Sequence, residues 1–133
     1  MTARRLDLVF DPTPLAVVRL PADSPLPAWA DLAAPFASVT RTRDELSIVV
    51  PADRVPADGS ARVEGPFVSF RVRGQLDFVQ VGVLAALAGP LAAAGVSIFA
   101  LATFDTDYVL VPAGALAAAR AALTAAGHRI EAA

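Results

Sequence analysis

At 133 residues, 56% hydrophobic and 18% charged, the chain has enough apolar side chain to bury a core, in one compact unit or two small halves. Its 11 basic residues are all Arg and stand against 13 acidic ones for a net charge of -2, which supplies no electrostatic footprint for a phosphate backbone. Nucleic acid is therefore not an expected partner. The absence of Lys, Asn and Cys removes Schiff-base, thiolate and disulfide chemistry at once.

The opening MTARRLDLVFDPTP carries two arginines but continues into acidic residues and Pro instead of an apolar run, so it does not read as a secretory signal and a cytoplasmic chain is expected. Leu6 to Phe10 reads as a strand that could join either half of the chain. Next, Pro25, Pro27 and Pro35 restrict any first helix to a turn or two around Ala28 to Leu32. The apolar run Ile48-Val49-Val50-Pro51 follows, and the Pro- and Gly-rich stretch from Pro51 to Gly65 reads as the crossing between halves.

From Phe67 onward the pattern is more regular. Phe67 to Arg73 alternates as a strand does, with Phe67, Phe70 and Val72 against Ser69, Arg71 and Arg73 and one slip at Val68. Asp77 is placed to open a helix whose larger apolar residues Val81, Leu84, Leu87 or Ala88, and Leu91 recur at helical spacing, with a kink or break expected near Gly89-Pro90 and a stop at Gly95. The most apolar part, Phe78 to Ala94, falls short of the roughly 20 residues a membrane span needs. Val96 to Ala102 and Tyr108 to Val111 read as two strands joined by the turn Thr103-Phe104-Asp105-Thr106-Asp107. Ala113 to Ala126 reads as a second helix with Leu116 and Leu123 one heptad apart, stopped by Gly127, and His128 to Glu131 as a last short strand. The order is βαββαβ, an α+β fold.

A weaker copy of this order runs through the first half. Ile48-Val49-Val50-Pro51 lies 61 positions before Val109-Leu110-Val111-Pro112, and at the same offset Thr42 matches Thr103 and Asp44 matches Asp105. Val17-Val18-Arg19 matches Arg71-Val72-Arg73 at an offset of 54, which sets Asp23 against Asp77. An internal duplication accounts for these matches. Boundaries at 1–63 for the degraded copy and 64–133 for the regular one follow.

Four stretches of the second half carry a family likeness: Leu76-Asp77-Phe78; Val81-Gly82-Val83-Leu84; Ala94-Gly95-Val96-Ser97-Ile98-Phe99; and Ala102-Thr103-Phe104-Asp105-Thr106-Asp107-Tyr108. With PLAVVRLP, Trp29 and PFASVTRTRDELSIVVP in the first half, the chain resembles ACT domains, and as a whole the small tandem-ACT proteins related to aspartokinase regulatory domains and to the cytosolic arginine sensor of animals. The resemblance implies two ferredoxin-like βαββαβ modules in tandem, antiparallel sheets with helices on one face, the first module degraded. It further implies a non-catalytic, amino-acid-binding regulatory or sensor protein that acts as a homodimer, needs no cofactor and answers to a free amino acid held where two modules meet. On it, Leu76, Asp77, Phe78, Val81 and Gly82 face the ligand and Thr103, Phe104, Asp105, Thr106 and Asp107 close over it. Nothing in the 133 residues resembles a catalytic domain, so the regulated enzyme partner is not named by the sequence.

Elementary chemistry agrees with this placement and also supplies plainer readings. A ligand carboxylate is favoured at a helix N-terminus, and a ligand ammonium needs an acceptor such as Asp77, Asp105 or Asp107. On charge alone, an acidic turn favours a basic or neutral amino acid over Asp or Glu. Asp77 could equally be only an N-cap, Gly82 a packing residue, and Asp105 and Asp107 ordinary turn residues. Arg71 and Arg73 read as a solvated strand face, and His128 as a partner of the last carbonyls of the second helix. The single His has no nucleophile or second ligand beside it, and no Gly-rich phosphate cradle is present, so neither an enzyme nor a metal site is expected. Acylphosphatase-like chemistry needs an Asn the chain does not have. An RNA-binding sheet needs stacking aromatics and a basic rim. The competing reading is a structural homodimerisation domain that has lost its ligand.

Overall fold

A computed structural model describes residues 4–77 and 81–133. The chain folds as α+β, in two compact units. One comprises residues 1–12 and 68–133; the other, residues 13–67. Two long strands, β1 (Asp7–Leu20) and β4 (Arg62–Val72), contribute residues to both. The division along β1 has a chemical cause in Pro12 and Pro14, which have no N–H to donate to a ladder. Pairing of β1 with β7 (Arg129–Ala132) covers Asp7 to Phe10, and pairing with β3 (Leu46–Pro51) starts only at Leu15.

The 13–67 unit holds β2 (Ser38–Arg41), β3, the second part of β1 and the start of β4. Its core is Ala16, Val18, Ala30, Leu46, Ile48 and Val50, with Trp29 and Val39 packed against it. The helix expected around Ala28 to Leu32 does not form. Only isolated turns occur there, closed by Ala30 N–H to Pro27 C=O at 3.0 Å and Ala34 N–H to Asp31 C=O at 3.0 Å, because the prolines leave no uninterrupted run of donors.

The unit formed by 1–12 and 68–133 has the strand order β7-β1-β4-β6-β5, with β5 at Phe99–Ala102 and β6 at Asp107–Pro112. Leu6 to Phe10, which the sequence leaves between two assignments, belongs here: β1 lies between β7 and β4, parallel to β7. Two helices, α1 (Val83–Ala93) and α2 (Leu116–Ala125), cover the face presented by Leu8, Phe10, Val68, Phe70, Val72, Val109 and Val111. These residues alternate along their strands, as a period of two requires. In β4 the core face is thus Val68, Phe70, Val72. The residue out of step is Phe67, half-buried at the unit boundary, and not Val68. Phe10 and Phe70 pack with ring centroids 5.2 Å apart, and the Arg120 guanidinium lies 4.5 Å from the centre of the Phe10 ring.

The first helix differs from its sequence expectation in three ways. It begins at Val83, so Asp77 lies outside it and does not cap it. Its core face is Val83, Leu87 and Leu91, at i, i+4, i+8, while Val81 is 82% and Leu84 42% exposed. It also runs through Pro90 without breaking. Pro90 cannot bond the carbonyl four residues back, that of Ala86, but the His128 ring lies there with Nε2 2.8 Å from the Ala86 oxygen. Nδ1 of the same ring accepts the Leu6 N–H at 3.0 Å. An imidazole that accepts on one side and donates on the other is the neutral Nε2–H tautomer. His128 is 4% exposed and serves the first helix and the first strand, and does not cap the second helix with its side chain. That capping falls to its backbone, whose N–H reaches Leu123 C=O at 3.1 Å past Gly127.

Candidate functional site

The turn between β5 and β6 is built by its threonines. Thr103 N–H donates to Thr106 C=O at 2.9 Å, and Thr103 Oγ1 accepts the Thr106 N–H at 3.3 Å. Thr106 is 7% exposed and its Oγ1 donates to Val72 C=O at 2.7 Å, which ties the hairpin tip to the end of β4. A second tie runs from Leu76 N–H to Asp105 C=O. Such paired ties hold the stretch between β4 and α1 against the hairpin tip.

Between them lies a cleft of about 180 Å³ lined by Leu76, Asp77, Val83, Ala102 and the turn Thr103, Phe104, Asp105, Thr106 and Asp107. A water needs about 10–15 Å³ of such space, so the cleft has room for several. Among the described residues, three carboxylates line it and no basic side chain does. Its apolar walls are Leu76, Val83 and Phe104, the last 78% exposed.

Of the residues singled out in the sequence, Leu76, Asp77, Thr103, Phe104, Asp105, Thr106 and Asp107 come together at this cleft. Val81 and Gly82 stand beside it, at the entrance to α1, and are not among its lining residues. Phe78 lies outside the described residues. Val83 and Ala102 also line the cleft; the helix expected from Asp77 sets its apolar face at Val81, Leu84 and Leu91 and leaves position 83 off it, and Ala102 reads as a strand residue. Among the described residues, a Cβ at Gly82 would meet nothing within 4 Å. The φ of +80° at this helix N-cap is what calls for glycine. Glycine at the N-cap offers no side chain of its own to the first-turn N–H groups of α1, which lie beside the wall that Val83 forms.

The 13–67 unit contains the same hairpin 61 residues earlier. Ser38 faces Val49 and Arg41 faces Leu46, as Phe99 faces Leu110 and Ala102 faces Asp107. Thr42 N–H donates to Glu45 C=O at 2.9 Å, in the manner of Thr103 and Thr106. Each hairpin ends in a proline with near-identical torsions, Pro51 at φ -52°, ψ 135° and Pro112 at φ -54°, ψ 135°, followed by one turn of 3-10 helix. Among the described residues, no three His, Asp or Glu side chains converge as metal ligands, and no helix is long and apolar enough to cross a membrane.

Comparison with known proteins bears on the same segments. The profile of the ACT domain matches residues 62–125, and a profile describing an N-terminal domain matches 14–58. The solved structure of protein Atu0741 from Agrobacterium tumefaciens is similar at 37% identity, with a TM-score of 0.88 over 98% of this chain and 96% of that one. The regulatory subunit of aspartate kinase from Thermus flavus shares the fold at 16% identity, with a TM-score of 0.64 over 92% of this chain and 99% of that one. The same holds for protein VC0802 from Vibrio cholerae, at 19% identity and a TM-score of 0.67 over 91% of this chain and 89% of that one. No curated protein matches the sequence. The chain is an ACT-domain protein, its ACT domain matched over residues 62–125, and it shares its fold with the regulatory subunit of aspartate kinase.

Proposed function

We propose that this is a non-catalytic regulatory protein that binds a free amino acid in the cleft between the α1 entrance and the β5–β6 turn. The observation that carries the reading is the composition of that cleft. Asp77, Asp105 and Asp107 line it as acceptors for an ammonium group, and the first turn of α1, where Val83 lines the cleft, offers N–H groups to a carboxylate. A zwitterion needs both halves at once. With three carboxylates and no lining base, a neutral or basic amino acid is favoured over Asp or Glu.

The likeness to aspartate kinase regulatory subunits supports a role in which the bound amino acid reports to an enzyme. In this reading the protein is cytoplasmic and works as a homodimer. Its first module, 1–63, is a degraded copy of the second, 64–133, and the shared hairpin register supports the duplication.

The test is a calorimetric and thermal-shift titration of the standard L-amino acids, each singly. A ligand at 100 times its Kd adds about 2.7 kcal/mol of stability. Replacement of Asp77 and Asp105 by Asn should weaken that ligand at least tenfold while the fold persists. Lack of any response at millimolar concentration sinks the reading.

A further inference from the structure

Three consecutive residues just ahead of β1 each grip the helical layer, and two of those grips bracket the wall of the cleft. The Arg4 guanidinium donates to Val81 C=O at 3.2 Å. Arg5 lies across Gly127, so closely that a Cβ at that glycine would come 2.9 Å from its Nε. Leu6 donates its N–H to His128 Nδ1 at 3.0 Å, and the same ring reaches Ala86 C=O at 2.8 Å through Nε2. Leu6 also accepts the Arg129 N–H at 3.0 Å, which fixes its other backbone group.

Val81 and Ala86 lie on either side of Val83, the residue through which α1 lines the cleft. The inner grip is sheltered from water, with Leu6 8% and His128 4% exposed. It rests on a carbonyl that Pro90 leaves without a helical partner, so the helix itself does not compete for it. The outer grip, through Arg4, holds the carbonyl just before the glycine N-cap of that helix. The position of Val83 is in this way set from outside the helix.

We propose that Arg4–Leu6 is a clasp that positions the α1 wall of the cleft, with Arg4 and His128 as its positioning residues, so that clasp closure and ligand occupancy favour each other. This rests on the reading of the cleft as an amino-acid site. Coupling of this kind is reciprocal: a ligand that needs Val83 in place strengthens the clasp by the factor by which the clasp strengthens the ligand.

The test uses the full chain and compares wild type, Arg4→Ala and Arg4→Lys. Without ligand, amide hydrogen exchange at Ala86 and Leu87 should speed up about 5- to 20-fold in Arg4→Ala, a span within usual coupling strengths. Exchange in α2 and the thermal midpoint should stay where they are, and Arg4→Lys, which keeps a donor, should restore slow exchange. Unchanged exchange in Arg4→Ala overturns the clasp. In the second arm the standard L-amino acids are titrated singly. An amino acid that binds wild type should bind Arg4→Ala about fivefold or more weakly, and equal affinity overturns the coupling. If no amino acid binds wild type, the reading of the cleft falls, while the exchange arm still judges the clasp.

Discussion

Replacing His128 by Ala takes a partner from two backbone groups at once, the Leu6 N–H and the Ala86 C=O. A buried group left unpaired costs about 1–3 kcal/mol, so the pair amounts to about 2–5 kcal/mol once some relaxation is allowed. Against the total of about 5–15 kcal/mol typical of small domains, that is a large share. At roughly 3–5 °C per kcal/mol for this size it corresponds to a fall of about 6–25 °C in Tm. The sharper test repeats the substitution in a Pro90→Ala background. Ala at position 90 restores the N–H that bonds back to Ala86 C=O, so that carbonyl no longer depends on His128. His128→Ala should then cost about 1 kcal/mol less than in wild type, the size of one hydrogen bond. Urea unfolding of the four proteins measures this from midpoints and slopes. Equal costs in both backgrounds, within the ~0.5 kcal/mol expected of independent sites, would refute the account of how α1 tolerates its proline.

The same substitution seven residues apart should have opposite signs. Gly82→Ala places a Cβ at φ +80° and should destabilise by about 1–2 kcal/mol, whereas Gly89→Ala inside α1, where a Cβ meets nothing within 4 Å, should stabilise by about 0.5–1 kcal/mol in thermal unfolding. Gly65→Ala should be severe, since its Cβ would stand 2.9 Å from the Leu15 backbone oxygen, which cannot rotate away; loss of soluble, cooperatively unfolding protein is the expected readout. The Asp58 carboxylate accepts hydrogen bonds from the Ser60 side chain and backbone N–H, which hold it below the ordinary 3.8, so an NMR titration should show its pKa rise in Ser60→Ala.

Much of the candidate cleft was legible because its turn rests on local chemistry. The Thr103 to Asp107 turn closes through bonds between residues three apart, and any chain with threonines at 103 and 106 between two apolar strands carries that instruction. The start of α1 was not legible in the same way. Asp77 has the right chemistry for an N-cap and an apolar run behind it, but Leu76 is drawn onto the Asp105 carbonyl in the neighbouring turn, and the helix begins six residues later, after a glycine with positive φ. A long-range backbone bond outweighed a local capping preference worth about 1 kcal/mol.

By itself, then, the sequence determined the element order from Phe67 onward, the helix stops at Gly95 and Gly127, and the polar turn. Each of these depends on residues within one or two turns of each other. Only the tertiary structure decided where Leu6 to Phe10 goes, how α1 passes Pro90, and what the one histidine is for. Those answers all turn on pairing groups far apart in the chain, Leu6 with residue 128 and 128 with Ala86. No local pattern encodes such a meeting, because a buried donor or acceptor finds its partner only after the sheet and helices have brought the two together.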